Sequence, residues 1–554
     1  MSLLISNVSY SQWSTDVTAN TPVITDLNRQ NSCRIASDGN GGAIIVWWDN
    51  DLATNDYNIY AQRLNYAGVV QWNSRGIPVC TNTAHQQNPD VTGDGNGNAL
   101  ITWFDQRNVK NEVYVQILGA NGQVKWTTDG VHVGKTPDHY QQAGPVVTSD
   151  GNGGAIVAWE DWRGDFYNPV RSIRAQRISA NGTIMWGDGG ISLNVTDGGS
   201  GPRIISDGNG GAIIAWDQWT GVYPAGSNDV FIQKVSPTGS LQWGEHGINL
   251  CDLSNMQRFP RLTSDGNGGA IVAWEDNRNA SYSTLYAQRI NSSGVVQWAA
   301  NGIRLTNLAS GQSNQVLLPD GNGGAFIAWE FASGVSVLQR IASDGTLLWD
   351  NSGVSFSDLR TSRYPEMIHD NAGGIIITWQ DGSYDIMAQR VSSSGSVQWA
   401  ARGVWICYVS MEQYSPKLTT DGHGGAIIAW DDLRNTNTTS TDIYAQQVSL
   451  NGSLGVVTAI EKTRQIDGDI TLRQNFPNPF SNTTKAVIKL DSKAKTSLVV
   501  YNISGKVVCT LADAVMEPGE YTFEFNSGSL PEGVYYIRLR SGSKTSTRTM
   551  VKMK

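Results

Sequence analysis

The sequence has few cysteines and no recognisable catalytic or metal-binding motif. Its five cysteines, Cys33, Cys80, Cys251, Cys407 and Cys509, lack metal-ligand spacing, so we expect no disulfide framework and no zinc site. No P-loop, nucleophile elbow, HExxH or CxxC is present. No apolar run is long enough to cross a membrane. The motifs therefore predict no cofactor and no membrane span.

One unit is repeated along most of the chain. A turn of the Asp-Gly-Asn-Gly type, followed nine residues after its Asp by Trp, recurs eight times at spacings of 50 to 58 residues. Repeats of this length are typical of propellers, solenoids and arrays. The turn aspartates are Asp38, Asp94, Asp150, Asp207, Asp265, Asp320, Asp370 and Asp421.

Each unit divides into four segments of strand length. In the unit of Asp265 the second segment, GGAIVAW, is apolar throughout, as in a strand covered on both faces. The last unit lacks its fourth, Trp-bearing segment, whereas the chain opens with one, SQWSTDVTANTPV. The sequence therefore predicts an all-β fold in which residues 1–457 form an eight-bladed β-propeller closed by N- and C-terminal strands, in preference to an open solenoid.

Polar and aromatic residues cluster just before the first strand of each unit, and Gln stands eight residues before the turn Asp in six units. We expect these side chains to surround the mouth of the central channel, where they can hydrogen-bond and stack on a sugar. The alternative is that the Gln side chains join adjacent blades through backbone groups. The candidate ligand-binding residues are Arg29, Gln30, His85, Gln86, His139, Tyr140, Gln142, Gln257, Arg258, Arg363, Tyr364, Gln413 and Tyr414.

Two acidic patterns recur in the repeats and are candidate sites of chemistry. Asp105, Asp161, Asp276 and Asp432 each follow a Trp and precede an Arg by two residues. Facing carboxylates can act as acid and base on a glycan, but one dyad repeated in four units better fits local ion pairs, so we assign no catalytic residue. Calcium at the Asp-Gly-Asn-Gly turns is possible but not favoured, because one carboxylate per loop is too few.

The composition changes after residue 457. Residues 458–469 form a polar linker, and from Ile470 onward Lys and Arg number 12 against 6 Asp and Glu. The tail therefore carries +6 and the remainder of the chain −15. Cations spread without a dense run indicate a solvated surface, so we predict no nucleic-acid partner.

Four segments of the tail closely resemble the C-terminal sorting domain of type IX secretion, a family of Bacteroidetes and related phyla. They are LRQNFPNPFSNTT (472–484), VVYNISGKVV (499–508), PGEYTFEF (518–525) and LPEGVYYIRLRSG (530–542). The resemblance implies that residues 470–554 form a small immunoglobulin-like β-sandwich whose partner is the type IX secretion machinery. It implies a secreted or outer-surface anchored protein, whose signal peptide we do not find in the printed chain.

The leading hypothesis is a secreted recognition or adhesion propeller that binds a carbohydrate or a protein on its loop face. The first alternative is a polysaccharide-active enzyme, a glycoside hydrolase or lyase, on the same scaffold. The second is a structural component of the cell surface. Nearby carboxylates in a cleft would favour the enzyme, and exposed aromatic rings on a polar rim would favour binding.

Overall fold

The computed structural model describes residues 13–455, except 53, 136–140, 165–168, 195–197, 221–225, 280, 359 and 437–439, and residues 470–553, except 474, 476, 491, 503–505, 529 and 543. The chain divides into two compact units, Met1–Val457 and Thr458–Lys554. The described residues form β-strands and loops, without a helix, so none of them belongs to a helix that spans a membrane. The predicted linker, residues 458–469, lies outside the described residues.

The described part of the first unit contains eight four-stranded antiparallel sheets, numbered here in chain order. Sheets 1 to 4 consist of β2 (Arg29–Ser37), β3 (Ala43–Asn50), β4 (Tyr57–Leu64) and β5 (Ile77–Cys80); β6 (Gln86–Gly93), β7 (Ala99–Asn108), β8 (Lys110–Leu118) and β9 (Val131–His132); β10 (Gln141–Ser149), β11 (Ala155–Gly164), β12 (Pro169–Ile178) and β13 (Ile191–Ser192); and β14 (Gly199–Ser206), β15 (Ala212–Thr220), β16 (Ser227–Val235) and β17 (Ile248–Asn249).

Sheets 5 to 7 consist of β18 (Gln257–Ser264), β19 (Ala270–Asp276), β20 (Thr284–Ile290) and β21 (Ile303–Arg304); β22 (Gln312–Pro319), β23 (Ala325–Phe331), β24 (Ser336–Ile341) and β25 (Val354–Ser355); and β26 (Ser362–His369), β27 (Ile375–Asp381), β28 (Ile386–Val391) and β29 (Val404–Cys407). Sheet 8 joins both ends of the unit, in the order β1 (Thr21–Ile24), β32 (Asp442–Val448), β31 (Ala426–Asp432) and β30 (Gln413–Thr420).

The repeated turn joins the first and second strands of each sheet. At Asp265, Oδ1 accepts the N–H groups of Asn267 and Gly269 at 2.9 and 2.8 Å, and Oδ2 forms an ion pair with Arg289 at 3.0 Å. A Cβ at Gly269 would lie 2.2 Å from the Ile290 carbonyl oxygen, so only glycine fits there. The Asp therefore closes a tight hairpin, and its charge is neutralised by an Arg of the third strand.

Hydrophobic clusters fill the space between successive sheets. The Trp that is the fifth residue of each second strand is at most 1% exposed in all eight sheets, and it packs against the neighbouring sheet. The first strands also contact one another in chain order, from β2 through β6, β10, β14, β18, β22 and β26 to β30, and β30 contacts β2. A shared cluster joins sheet 8 to sheet 1 through Ile427, Ala429, Ala43 and Ile45.

The chain start takes the place of the missing fourth strand in sheet 8. In sheet 1, the Gln62 side-chain amide donates to the Asn73 carbonyl, one residue after the recurring Trp72. In sheet 8, Gln446 donates in the same way to Ser14, one residue after Trp13. The N-terminal segment thus makes the contact that its repeat position predicts.

The second unit contains two antiparallel sheets around one hydrophobic cluster. The three-stranded sheet consists of β33 (Ile470–Leu472), β34 (Thr483–Leu490) and β37 (Gly519–Asn526) in that order. The four-stranded sheet has the order β36 (Val507–Met516), β35 (Ala494–Asn502), β38 (Gly533–Ser541) and β39 (Lys544–Lys552). Strict alternation of exposed and buried residues in β34 and β38 places one face of each sheet in the core.

Candidate functional site

The glutamines predicted to face a ligand are buried. Their side chains are at most 1% exposed, and most of their amide groups donate to carbonyls of the preceding loop. Gln142 also accepts the N–H of Val113 on the third strand of the previous sheet, at 2.7 Å. The residues in this position are Gln30, Gln86, Gln142, Gln257, Gln312 and Gln413. Their position matches the blade-joining alternative more closely than direct contact with a sugar.

A β-bulge interrupts every first strand two residues after this position. The register shifts there in all eight sheets, and the residue six before the turn Asp has a left-handed φ of +51° to +61°. In six sheets a proline follows it. The left-handed residues are Ser32, Asn88, Gly144, Gly201, Phe259, Asn314, Tyr364 and Ser415. Gly, Asn and Ser tolerate this conformation, whereas Phe and Tyr are strained in it.

Carboxylates of one sheet hold the bulge of the next. Asp217 Oδ1 accepts the N–H of Phe259 at 2.8 Å, and Glu160 Oε1 accepts that of Gly201 at 2.8 Å. Asp431 accepts the N–H groups of Ser32 and Cys33 at 2.9 and 3.1 Å. These acids directly follow the buried Trp of the second strand, whereas the repeated Trp-x-Asp-x-Arg pattern points to the residue after them.

Burial raises the pKa of acids at this position, to which Glu275, directly after Trp274, also belongs. It raises the pKa of Asp217 to about 7, although the N–H of Phe259 and the charge of Arg258 oppose the shift. It also raises the pKa of Glu275 to about 7, against the effects of Arg258 and the Asn314 backbone. At neutral pH each carboxyl is therefore present in both protonation states, which a general acid or base requires.

Phe259 and Tyr364 are the two aromatic residues at the left-handed position. They lie on β18 and β26, on either side of sheet 6, and are 51% and 48% exposed. The Arg258 guanidinium lies 5.1 Å from the Phe259 ring centre, and Arg363 Nε lies 4.0 Å from Glu330 Oε1. Two arginines and two half-exposed aromatic rings therefore lie near the N-terminal ends of the first strands.

Sheets 7 and 8 add a pair of tyrosines. The Tyr384 and Tyr414 rings lie 5.8 Å apart, edge to face, and the Gln413 N–H donates to the Tyr384 carbonyl at 2.9 Å. Tyr384 is 40% exposed, in the hairpin between β27 and β28. Sequence reasoning missed Tyr384 because it looked for charged residues in these hairpins; an aromatic residue in a loop of four residues was the available signal.

The remaining candidates are spread over other sheets. Arg29 is exposed at the start of β2. The His85 ring lies 4.5 Å from Tyr57, which packs against Trp48 at 5.1 Å, so this group is partly buried. His139 and Tyr140 lie outside the described residues.

The repeated Asp-x-Arg pairs lie inside the fold. Asp276 is fully buried; it pairs with Arg278 at 2.7 Å and accepts the Trp274 indole N–H at 2.9 Å. The Arg278 guanidinium lies 3.5 Å from the Tyr286 ring centre. Asp105 and Asp432 make equivalent pairs, and Asp161 pairs with Arg163 at 2.7 Å. Within the described residues, no three His, Cys, Asp or Glu side chains are grouped as a metal site.

Comparison with known proteins gives one family match. Residues 474–553 match the secretion system C-terminal sorting domain family. A search of curated proteins found no significant match.

Structural comparison gives distant similarities. A protein of unknown function from Dyadobacter fermentans is 8% identical, with a TM-score of 0.37, and the alignment covers 76% of this chain and 95% of that one. An α-L-arabinanase from Penicillium chrysogenum is 14% identical, with a TM-score of 0.33 and coverage of 58% and 98%. A PL25 ulvan lyase is 13% identical, with a TM-score of 0.40 and coverage of 65% and 91%. Scores of this size establish no shared activity.

Proposed function

We propose that this protein, which its C-terminal sorting domain marks as secreted or anchored at the outer surface, binds carbohydrate through the loop face of its repeat region. The observation that carries the proposal is the pair Phe259 and Tyr364. Both rings are half exposed and both residues hold a backbone conformation that costs an aromatic residue about 1–2 kcal/mol. Strain and exposure both oppose stability, and such outliers concentrate at functional sites.

The proposed scaffold is an eight-bladed propeller spanning residues 1–457, closed by a blade that contains both chain ends. Three observations support closure: β1 pairs with β32, β30 contacts β2, and a hydrophobic cluster joins sheets 8 and 1. In such a ring the first strands line the channel, so Phe259 and Tyr364 lie at its mouth. A small linker and the sorting domain, residues 470–554, follow.

The chemistry around the two rings suits a sugar. Aromatic faces stack on the apolar faces of pyranose rings, and paired Arg and carboxylate groups hydrogen-bond to hydroxyl groups. Arg258 lies near Asp217 and Glu275, and Arg363 lies near Glu330, so each cation has an acidic neighbour. The body of the chain carries −15. These charges favour a neutral glycan over a polyanionic one.

A glycan-array screen of the full-length protein, with product analysis of every polysaccharide that binds, tests the proposal. We expect retention of a neutral glycan without new chain ends. Phe259→Ala and Tyr364→Ala should each weaken retention. Tyr66→Ala is the matched control, because Tyr66 is 47% exposed but lies after β4, away from these loops. Equal binding by all three variants would contradict the proposed site.

Catalysis is the second candidate function, and the pKa values of Asp217 and Glu275, raised to about 7, favour it. Both carboxyls also hold the bulge of the next sheet, which explains their burial without any reaction. New reducing ends or unsaturated sugars in the product analysis would establish a hydrolase or a lyase. Absence of any glycan binding would favour a protein partner or a structural surface role.

A further inference from the structure

The cations of the second unit are concentrated at its end. Residues 533–554 contain six Lys and Arg residues and no Asp or Glu. Most of this stretch forms the hairpin of β38 and β39. The cations are Arg538, Arg540, Lys544, Arg548, Lys552 and Lys554.

Two of these arginines lie on the outer face of the four-stranded sheet. On β38, the side chains of Tyr536, Arg538 and Arg540 are exposed, whereas those between them are buried. Cross-strand pairing forms three rows, in which Arg540 lies between Ser497 and Thr545, Arg538 between Val499 and Thr547, and Tyr536 between Tyr501 and Thr549. We name these nine residues the cationic face.

The described residues offer these arginines no carboxylate partner. Asp513 is the acid nearest in register, opposite Ser497, but its Oδ1 pairs with Lys495 at 2.7 Å. The ion pairs among the described residues of this unit join other side chains, and the Arg538 guanidinium instead lies 5.0 Å from the Tyr501 ring centre. The cationic face therefore keeps its positive charge.

The outer face of the three-stranded sheet is different. There, Lys485 lies opposite Glu524, and Lys489 lies opposite Glu520. All four side chains are exposed, so opposite charges balance across the strand pair. This face has the pattern of a solvated surface, and it provides a control within the same domain.

We propose that the cationic face is the surface through which the sorting domain binds an acidic protein of the export apparatus. The charge of the face requires an acidic partner. Arg and Tyr are among the residues enriched in protein interfaces, and Tyr536 is 39% exposed and paired with Tyr501 across the strands. Exposed aromatic rings add contact area that an anionic lipid headgroup would not use.

Export of the full-length protein in a bacterium with a type IX secretion system tests this proposal. Arg538→Gln/Arg540→Gln is compared with Lys485→Gln/Lys489→Gln, which removes the same charge from the opposite sheet. We expect the arginine variant to accumulate in the periplasm, so that the amount of protein at the cell surface and in the medium falls about tenfold or more. The loss of interfacial charge pairs changes a binding constant by about that factor. The lysine variant should be exported like the wild type.

Thermal unfolding of both purified variants shows whether each is folded. The variant Arg538→Lys/Arg540→Lys retains the positive charge, so most of it should still be exported. Normal export of the Gln variant of the arginines would overturn the proposal. Equal loss in both Gln variants would also overturn it, because net charge rather than the cationic face would then control export. Export followed by release from the cell surface would assign the face to an anionic glycolipid instead.

Discussion

At the scale of single residues, Phe259 and Tyr364 stand out because the same position in the other six sheets holds Gly, Asn or Ser. A left-handed backbone suits those residues and strains an aromatic one. Each ring also leaves about half of its side-chain surface in water. We therefore propose that these two rings serve ligand binding rather than packing.

Replacing Phe259 with Asn should therefore raise the free energy of unfolding, by about 1 kcal/mol, because Asn tolerates a left-handed φ. Chemical denaturation of the full-length protein measures the change. Tyr66→Asn removes a ring of similar exposure from a residue without a left-handed φ, and should give no gain. A loss of more than about 1 kcal/mol in Phe259→Asn would show that the ring stabilises the fold.

The buried pair of Asp276 and Arg278 gives a second prediction at this scale. Arg278→Ala should lower the free energy of unfolding by about 3–5 kcal/mol, because it leaves a fully buried carboxylate without its partner. Arg402→Ala, in an exposed pair with Asp358, should cost less than about 1 kcal/mol. Similar losses in both variants would contradict a structural role specific to the buried pairs.

The sequence predicts some of these residues and not others. The repeat predicts Arg363, Tyr364 and Tyr414 in loops before the first strands, whereas the structure has them one or two residues inside β26 and β30. It does not predict that the Gln residues are buried, because a side-chain amide can hydrogen-bond either to solvent in a loop or to backbone groups inside the fold. It does not predict the left-handed bulge either. The Gly, Asn and Ser residues that six repeats have six positions before the turn Asp were the available signal.

At the scale of strands and sheets, carboxylates on three of the second strands bond to the bulge of the next sheet. Asp217 bonds to β18, Glu160 to β14 and Asp431 to β2. These contacts fix where the left-handed residue lies, and so they position Phe259. The apolar run of the second strand was enough to predict a buried strand, whereas a contact between sheets depends on packing that a single sequence does not specify.

The ionisation of Asp217 predicts a pH dependence of stability. Its pKa, about 7 in the folded chain, lies above its ordinary value of 3.8, so the folded state binds the proton more tightly. The free energy of unfolding should therefore fall as pH rises from about 4 to about 7. Asp217→Asn removes this contribution, and its stability relative to wild type should increase by more than about 1 kcal/mol between pH 4 and pH 8.

Asp344→Asn serves as the control for this experiment. Asp344 is exposed, and its pKa is lowered by the N–H of Thr346, so its contribution has the opposite sign. That variant should lose a little stability relative to wild type over the same pH range. A constant difference between Asp217→Asn and wild type from pH 4 to pH 8 would contradict the account of this carboxyl.

At the scale of the whole molecule, the proposed ring depends on the short N-terminal strand. Thr21 and Pro22 pair with Ala445 and Tyr444, and Val23 and Ile24 belong to the cluster between sheets 8 and 1. The complementary chain ends made this pairing predictable.

Deletion of residues 1–24 should lower the thermal midpoint of the entire repeat region in one transition, because opening the ring exposes an edge and an apolar cluster. Scanning calorimetry of the full-length protein and of the deletion measures this effect. An unchanged midpoint would show that the sheets form an open array.

The most direct test of carbohydrate recognition is titration calorimetry of one glycan identified by the array, with wild type, Phe259→Ala/Tyr364→Ala and Tyr66→Ala. The account predicts that the double variant loses at least about 2 kcal/mol of binding free energy, as expected for two stacked rings at the centre of a site. Tyr66→Ala should bind like wild type. Equal affinities for all three proteins would contradict the claim that Phe259 and Tyr364 form the site.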